Sequence, residues 1–375
     1  MGTNLSDIIA GHNASSPLAE AHTIPSSWYV DARVAQLEND AVFGRNWQAV
    51  GRAGQAAEPG QFFTADLAGE RIVVVRSADR ELRAFYNVCR HHAAAVVTEA
   101  EGHAVNFRCP YHGWTYGTDG TLKGTPDFDG VCNFDRGKNG LVAVRVATWE
   151  KFVFVNLDAQ SGPLEAFLGS LVKRVAPLRL ASLHFFERRS YELNCNWKVY
   201  VDNFLDGGYH VPYLHKGLNS VLDYANYTIE NEDRFCLQSS PVETSSANAD
   251  ADAAATRQGN RAFYFWQYPN FMLNWYEGYL DTNLVLPLSI DRCRVIFDFY
   301  FAGTGDAAKE YNQQSVAVSH RVQEEDVGIC EAVQRGLHSR AYVAGRLSVR
   351  REAGEHLFHR LLHADLKAGL DRGHD

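Results

Sequence analysis

The sequence predicts an α+β protein: a small all-β domain precedes a larger domain in which helices cover an antiparallel sheet. Two observations carry this prediction. From Trp47 to Leu157, short apolar runs alternate with turn residues at the intervals typical of an all-β domain. After residue 161 strand patterns and helical patterns are mixed, and a chain of 375 residues has room for both cores.

The predicted elements follow from this pattern in chain order. Residues 1–40 form a polar tail and a helix, Ser27 to Phe43, that packs on the larger domain. The all-β domain, 41–160, has strands at 71–76, 82–88, 104–109, 141–149 and 152–157. The larger domain, 161–375, has helices at 164–175, 197–206 and 306–336, strands at 226–238, 261–268, 271–276, 280–286 and 293–302, and a loop at 245–260.

Four metal-ligating side chains stand in two pairs, Cys89 with His91 and Cys109 with His112, in the pattern C-x-H-x17-C-x2-H. Two thiolates and two imidazoles can ligate a [2Fe–2S] cluster, with sulfur on one iron and nitrogen on the other. A structural zinc site uses the same residue types, but it usually keeps its thiols together and its histidines together. The mixed order favours the cluster, which passes single electrons.

A second metal site is indicated by His210 and His215. On an ideal helix five residues rotate about 140° beyond a full turn, so the two imidazoles would diverge. Gly207, Gly208 and Pro212 predict a broken helix, in which both rings can reach one point.

Two histidines need one carboxylate to form the iron site of non-haem oxygenases, which leaves coordination positions open. The predicted helix 306–336 supplies Glu324, Glu325 and Asp326, and Asp326 is the preferred candidate. The histidine pair alone is equally consistent with ordinary polar roles. A cluster in the same chain favours iron, because it supplies the electrons that such an iron consumes.

The composition indicates which classes of partner and which cellular location fit this protein. A net charge of -9 gives no support to nucleic-acid binding, and no apolar run approaches the roughly 20 residues of a membrane span. Outside the two pairs, five cysteines lack paired spacing, which predicts a reducing, cytoplasmic location.

Taken together, these residues resemble the catalytic subunit of the Rieske non-haem iron oxygenases. Within that family the sequence is most similar to choline monooxygenases and related quaternary-ammonium oxygenases. The segments that carry the resemblance are NWKVYVDNFLDGGYHVPYLHKG (196–217), YPNFMLNWY (268–276), DTNLVLPL (281–288) and EEDVGICEAVQRGL (324–337). The chain departs from the usual Arg and Gly after the first cluster pair, where it has His92 and Ala93.

The resemblance implies a helix-grip catalytic domain and a homotrimer. It implies that Cys89, His91, Cys109 and His112 hold the [2Fe–2S] cluster and that His210, His215 and Asp326 hold a mononuclear Fe(II). An acid before the first iron histidine would link the cluster of one subunit to the iron of the next. Asp206 resembles that acid, with Asp202 as the second choice, and Asn203 resembles a group that orients a ligand.

The resemblance also implies an activity. Electrons from NAD(P)H would arrive through a reductase, with or without a ferredoxin. With O2, the enzyme would hydroxylate or N-demethylate a quaternary-ammonium substrate of the choline, glycine betaine, carnitine or proline betaine type. Two alternatives stay open: an oxygenase for an uncharged or aromatic substrate, and an electron carrier that needs only the cluster.

A quaternary-ammonium substrate would need aromatic faces, because a trimethylammonium group cannot donate a hydrogen bond. Each face contributes roughly 0.5–2 kcal/mol. The predicted substrate-binding residues are Tyr264, Trp266, Phe271, Trp275 and Tyr276. Aromatic strands also fill hydrophobic cores, so packing is the competing interpretation of the same residues.

Overall fold

The computed structural model describes residues 4–245 and 248–373, which form two compact units. One unit is Phe43–Phe167, and the other comprises the described residues on either side of it. Residues 1–3, 246–247 and 374–375, which belong to the predicted tail, loop and C-terminal domain, lie outside the described residues. Among the described helices, none is long and apolar enough to cross a membrane.

The unit Phe43–Phe167 is built from β-strands, as predicted. The strands are β1 (Gln48–Arg52), β2 (Gln61–Leu67), β3 (Glu70–Arg76), β4 (Leu82–Tyr86), β5 (Glu101–His103), β6 (Asn106–Arg108), β7 (Thr115–Gly117), β8 (Leu122–Gly124), β9 (Ala143–Trp149) and β10 (Phe152–Asn156). Seven form an antiparallel sheet in the order β1-β10-β9-β4-β3-β2-β5, and β6-β7-β8 form a smaller one. The loop after β4 and the loop between β6 and β7 carry the two cysteine–histidine pairs.

The other unit combines one sheet with helices, which confirms the predicted fold class. Its strands are β11 (His184–Leu193), β12 (Thr228–Glu232), β13 (Phe235–Pro241), β14 (Arg261–Gln267), β15 (Phe271–Tyr276), β16 (Tyr279–Ser289) and β17 (Arg292–Phe301). They pair antiparallel in the order β11-β17-β16-β15-β14-β13-β12. The helices of the chain are α1 (Leu5–Ala10), α2 (Ser27–Val30), α3 (Ala32–Glu38), α4 (Leu164–Leu168), α5 (Leu171–Val175), α6 (Trp197–Leu205), α7 (Val211–Leu214), α8 (Lys216–Asn219), α9 (Ala251–Thr256), α10 (Lys309–Leu337) and α11 (Ala353–Arg372).

Aromatic packing attaches the helices to this sheet. The buried ring of Phe358 on α11 contacts Trp197 on α6 and Trp266 on β14, with ring centroids 5.6 Å apart in each pair. Asn196 caps α6 by accepting a hydrogen bond from the backbone N–H of Lys198 at 3.0 Å. The cap therefore fixes where α6 begins. It also fixes where the last residues of the helix lie.

Three predicted elements differ from the structure because of local turns. The predicted helix 164–175 is interrupted at Gly169, whose φ of 55° ends α4. The predicted strand 226–238 is a hairpin of β12 and β13 that turns at Asp233, with φ 42°. The predicted loop 245–260 contains α9, which begins because the Asp250 side chain accepts a hydrogen bond from Ala253 N.

The N-terminal helix and several other elements also differ from prediction. The helix predicted from Ser27 to Phe43 is divided at Asp31, which ends α2 and caps α3, and a π-helical turn, Asn39–Phe43, follows. Strands β1, β2 and β11 and the long helix α11 were not predicted at all. Strand β11 lies at the sheet edge and carries several charged residues. These pair with β17, as Arg188 does with Asp298, and with one another, as Arg189 does with Glu187.

A buried ion pair joins α3 to α6. Lys198 Nζ lies 2.6 Å from Glu38 Oε1, with side-chain exposures of 0% and 2%. Trp197 Nε1 donates to the other carboxylate oxygen at 2.8 Å. Burial lowers the pKa of Lys198, against the attraction of Glu38.

Replacing Lys198 by methionine is expected to destabilise this unit by about 3–5 kcal/mol, because Glu38 would keep a buried charge without a partner. Urea unfolding followed by circular dichroism measures the change. Lys173→Met, at an exposed position of α5, is the matched control and is expected to stay within about 0.5 kcal/mol of the parent. Equal midpoints for the two variants would contradict the prediction.

Candidate metal centres and substrate cavity

The two cysteine–histidine pairs lie in loops with the same backbone pattern. In each loop the residue four positions after the cysteine donates its N–H to the cysteine carbonyl, at 3.0 Å: Ala93 to Cys89 and Gly113 to Cys109. Both donors have positive φ, 60° and 71°. That conformation favours glycine. Ala93, where the family usually has Gly, therefore adopts the conformation that a glycine would supply without strain.

The four side chains converge with the sulfurs inside and the imidazoles outside. Cys89 and Cys109 are buried, His91 is half-buried and His112 is exposed. The rings of His91 and His112 are 4.7 Å apart. His91 Nδ1 is buried and has no hydrogen-bond partner among the described residues. An orphaned ring nitrogen beside two buried thiols fits a metal ligand.

Aromatic groups surround this site. The indole of Trp114 stacks on His91 with centroids 4.8 Å apart. The Tyr116 hydroxyl lies 3.3 Å from Cys89 Sγ and accepts a hydrogen bond from the backbone N–H of Arg90. The ring of His92 lies 4.0 Å from that of His91, so a third imidazole stands beside the pair.

The second candidate site lies where α6 breaks. Gly207 and Gly208 both have φ +69°, and α7 follows with Pro212 in its first turn. A Cβ at residue 207 would overlap the carbonyl oxygen of Arg351, so only glycine fits there. The break turns the chain so that the rings of His210 and His215, on either side of α7, lie 4.8 Å apart.

Three side chains meet at this point with one atom each. His215 Nε2 lies 3.1 Å and His210 Nε2 3.9 Å from Asp326 Oδ1 on α10. Of the three acids considered from the sequence, Asp326 alone directs an oxygen between the two rings, because Glu324 is exposed and Glu325 contacts the far side of His215.

The outer nitrogens of both rings are held by carboxylates. His210 Nδ1 lies 2.6 Å from Asp206 Oδ2, and His215 Nδ1 lies 2.6 Å from Glu325 Oε2. A proton on each Nδ1 leaves the Nε2 lone pair free to bind a metal, and such partners typically fix the ring orientation of metal-binding histidines. The residues therefore fit a divalent iron. Glu325 was not predicted in this role, since its position in sequence does not show which ring it faces.

The remaining predicted residues near this site divide into two groups. Asn203 Nδ2 donates to Asp326 Oδ1 at 2.8 Å. Asp206 also accepts from the backbone N–H of His210. Asp202, in contrast, is hydrogen-bonded to Tyr29 Oη at 2.5 Å and His359 Nε2 at 3.0 Å, and contacts neither iron histidine.

His210, His215 and Asp326 line a cavity. Of the predicted substrate-binding residues, Tyr264 and Tyr276 line it. Trp266, Phe271 and Trp275 are not among its lining residues.

The sheet explains the three exceptions. Trp266 follows Tyr264 on the same face of β14, but Phe358 of α11 covers it. Phe271 and Trp275 alternate with Tyr276 along β15 and point to the opposite face. There Trp275 packs against Phe263, with centroids 5.7 Å apart.

The cavity also contains two buried charged residues that the sequence did not reveal. Arg257, directly after α9, donates to Ser315 Oγ at 3.0 Å and to Ser319 Oγ at 2.8 Å. Asp281 on β16 accepts from Tyr279 Oη at 2.5 Å, and burial raises the pKa of Asp281. Arg257 was missed because its segment was predicted to be a loop.

An all-β unit with a Cys-His/Cys-His site, joined to a sheet-and-helix unit with a two-histidine-one-carboxylate site, defines an oxygenase with two metal centres. Residues 46–135 match the family described as Rieske [2Fe-2S] domain. Residues 180–367 match the family described as ring hydroxylating alpha subunit (catalytic domain). The chain belongs to the Rieske non-haem iron oxygenases, as a catalytic alpha subunit. The two domains imply a Rieske [2Fe–2S] cluster and a mononuclear iron.

Relatives with known activity are similar over nearly the whole chain. The chain is 40% identical to choline monooxygenase of Arabidopsis thaliana, over 97% of this chain and 88% of that protein. It is 32% identical to the carnitine monooxygenase oxygenase subunit of Escherichia coli (strain K12), over 91% of each. The crystal structure of the quaternary ammonium Rieske monooxygenase CntA with L-carnitine superimposes with a TM-score of 0.81 at 26% identity, covering 98% of this chain and 99% of the other.

Proposed function

We propose that this chain is the oxygenase component of a monooxygenase that hydroxylates or N-demethylates a quaternary-ammonium substrate. The candidate substrates are of the choline, glycine betaine, carnitine or proline betaine type. The observation that carries the proposal is the cavity with tyrosine faces beside His210, His215 and Asp326. The relatives that act on choline and carnitine support it.

The proposal assigns each predicted group a task. Residues 41–160 carry the cluster on Cys89, His91, Cys109 and His112. Residues 161–375, with the segment 1–40 packed on them, carry the iron on His210, His215 and Asp326. When bound, the cluster supplies single electrons and the ferrous iron supplies a site for O2 activation.

The surrounding side chains position these groups. Asp206 and Glu325 hold the Nδ1 protons and thereby direct both Nε2 atoms inward. Asn203 holds the carboxylate of Asp326. Asp206 is the preferred link to a neighbouring subunit, since Asp202 is engaged by Tyr29 and His359.

The proposal extends to the assembly. The proposed assembly is a homotrimer. It receives electrons from NAD(P)H through a reductase, with or without a ferredoxin. A solved quaternary ammonium Rieske monooxygenase, 26% identical to this chain, was described with inter-subunit electron transfer, which supports the shared site. The seven free thiols support a reducing, cytoplasmic location.

The reaction on an N-methyl group consumes O2, two electrons and two protons. One oxygen atom enters the C–H bond and the other leaves as water. The resulting carbinolamine breaks its C–N bond, which yields formaldehyde and the demethylated amine. On the alcohol carbon of choline the same insertion yields an aldehyde hydrate.

Turnover of the chemically reduced protein tests the function. Choline, glycine betaine, carnitine and proline betaine are supplied separately, and O2 uptake, formaldehyde and aldehyde are measured together. At least one is expected to give product in proportion to the O2 consumed, with about three irons bound per chain. If none of the four couples O2 uptake to product, the quaternary-ammonium proposal is wrong, and two irons per chain would favour an electron carrier.

A further inference from the structure

We infer that the substrate is a zwitterion and that Arg257 binds its carboxylate. This inference rests on the proposed function and narrows it, because choline has no carboxylate whereas the betaines and carnitine do. It assigns Arg257 as a specificity-determining residue at the end of the cavity away from the candidate iron site.

Arg257 is a buried cation with donors to spare. Its side chain is enclosed, and the residue is 3% exposed. A guanidinium has five N–H donors. The hydrogen bonds to Ser315 and Ser319 use two of them, and the Tyr276 hydroxyl is a further partner. Among the parts of the chain that the structure describes, no carboxylate lies within ion-pairing distance of Arg257. Asp281 attracts the guanidinium without touching it, and an anionic ligand in direct contact would add a charge-assisted hydrogen bond.

Asp281 is the acid that is linked to Arg257, but its carboxylate oxygens already accept hydrogen bonds from other side chains. They accept hydrogen bonds from Tyr279, from Asn274 at 2.7 Å and from Asn283 at 3.1 Å. Its connection to Arg257 runs through the shared hydroxyl of Ser319. Asp281 makes no direct hydrogen bond to the guanidinium, whose remaining N–H donors suit a ligand carboxylate.

The position of Arg257 also changes which aromatic faces are available. The guanidinium carbon lies 5.1 Å from the ring centroid of Tyr276 and 4.9 Å from that of Tyr279. The chain's own cation thus occupies a face of Tyr276, which the sequence suggested for a substrate ammonium. Tyr227 and Tyr264 also line the cavity, but the guanidinium carbon of Arg351 lies 5.9 Å from the Tyr227 centroid, so Tyr264 is the face left for the substrate.

The two ends of the cavity differ in charge, because Asp281 offsets Arg257 at one end whereas carboxylates predominate at the other. Ser319, which binds Arg257, and Asp326 are seven residues apart on α10, so they lie on one face with an axial separation of about 10 Å. At the far end, Asp206, Glu325 and Asp326 bring more negative charge than a ferrous ion neutralises. A small zwitterion fits this gradient with its carboxylate at Arg257 and its ammonium group towards the acids.

The test compares substrates with and without a carboxylate in three variants. Arg257→Met removes the charge, and Arg257→Lys keeps it without the fork. Arg321→Met is the matched control: it breaks the 3.1 Å ion pair with Asp250 that holds α9 to α10, outside the cavity. Calorimetric binding and steady-state turnover are measured with carnitine, glycine betaine and choline.

The parent protein is expected to prefer carnitine or glycine betaine to choline. Arg257→Met should weaken binding of the carboxylate compounds about 10- to 100-fold and raise their KM similarly, while choline changes less than about 3-fold. Arg257→Lys should recover part of the loss, and Arg321→Met should resemble the parent. The inference is overturned if the parent prefers choline, or if Arg257→Met weakens all three ligands equally. If carnitine binds in an Arg257-dependent way without turnover, the inference stands and the proposed function fails.

Discussion

Replacing Asp326 by alanine is expected to abolish turnover while leaving the iron–sulfur cluster intact. Asp326 supplies the only carboxylate oxygen, among the described residues, that lies within 4.8 Å of the ligand nitrogens of both His210 and His215. Without it, two imidazoles remain to hold the iron, and the steady-state rate should fall more than about 1,000-fold. Bound iron should drop from about three to about two per chain, while the visible absorption of the cluster persists.

Glu324→Ala provides the control for this experiment. Glu324 lies on the same helix two residues earlier, but its side chain is 59% exposed and does not face the histidines. It should keep both the iron content and the rate. Full iron occupancy in Asp326→Ala would show that the iron is held elsewhere.

Replacing Asp206 by asparagine is expected to have the second largest effect. The variant keeps the size of the side chain but removes the charge that accepts the 2.6 Å hydrogen bond from His210 Nδ1. Loss of such a partner typically costs 10- to 100-fold in metal affinity or activity. The multiple-turnover rate should fall by about 100-fold, because the same carboxylate is also the preferred electron link.

Stopped-flow measurements separate the two roles of Asp206. With the iron site replete, oxidation of the reduced cluster in the presence of substrate and O2 should be slow in Asp206→Asn and close to the parent rate in Asp202→Asn. The Asp202 variant should instead lower stability, since it weakens the contacts with Tyr29 and His359. Slower cluster oxidation in Asp202→Asn than in Asp206→Asn would reverse the assignment of the linking acid.

The residues of the two metal centres could be selected from the sequence because their pattern is mostly local. The pairs Cys89/His91 and Cys109/His112 each lie in one short loop. The spacing within each pair is therefore set by the conformation of that loop. The broken helix before His210 was readable because two glycines and a proline exclude a continuous helix. Asp326 required a contact between distant segments, and its choice rested on one acidic cluster in a predicted helix.

The cavity was less predictable because a pocket depends on what covers each strand. Alternation correctly separates the two faces of β14 and β15, but it does not show that α11 covers Trp266. Arg257 depends on a short capped helix in a segment without apolar periodicity, and Asp281 lies in a largely buried strand. Their place in the cavity follows from the fold, in which α10 brings Ser319 beside both residues.

The break at Gly207 has a consequence for how the protein matures in the cell. His215 and Asp326 are 111 positions apart, and the backbone of Arg351 closes over Gly207. A growing polypeptide on the ribosome therefore has the two histidines long before it has their carboxylate or the segment that clamps the turn. The complete iron site therefore forms only after folding brings the segment with Asp326 and Arg351 onto the break that separates the two histidines from α6.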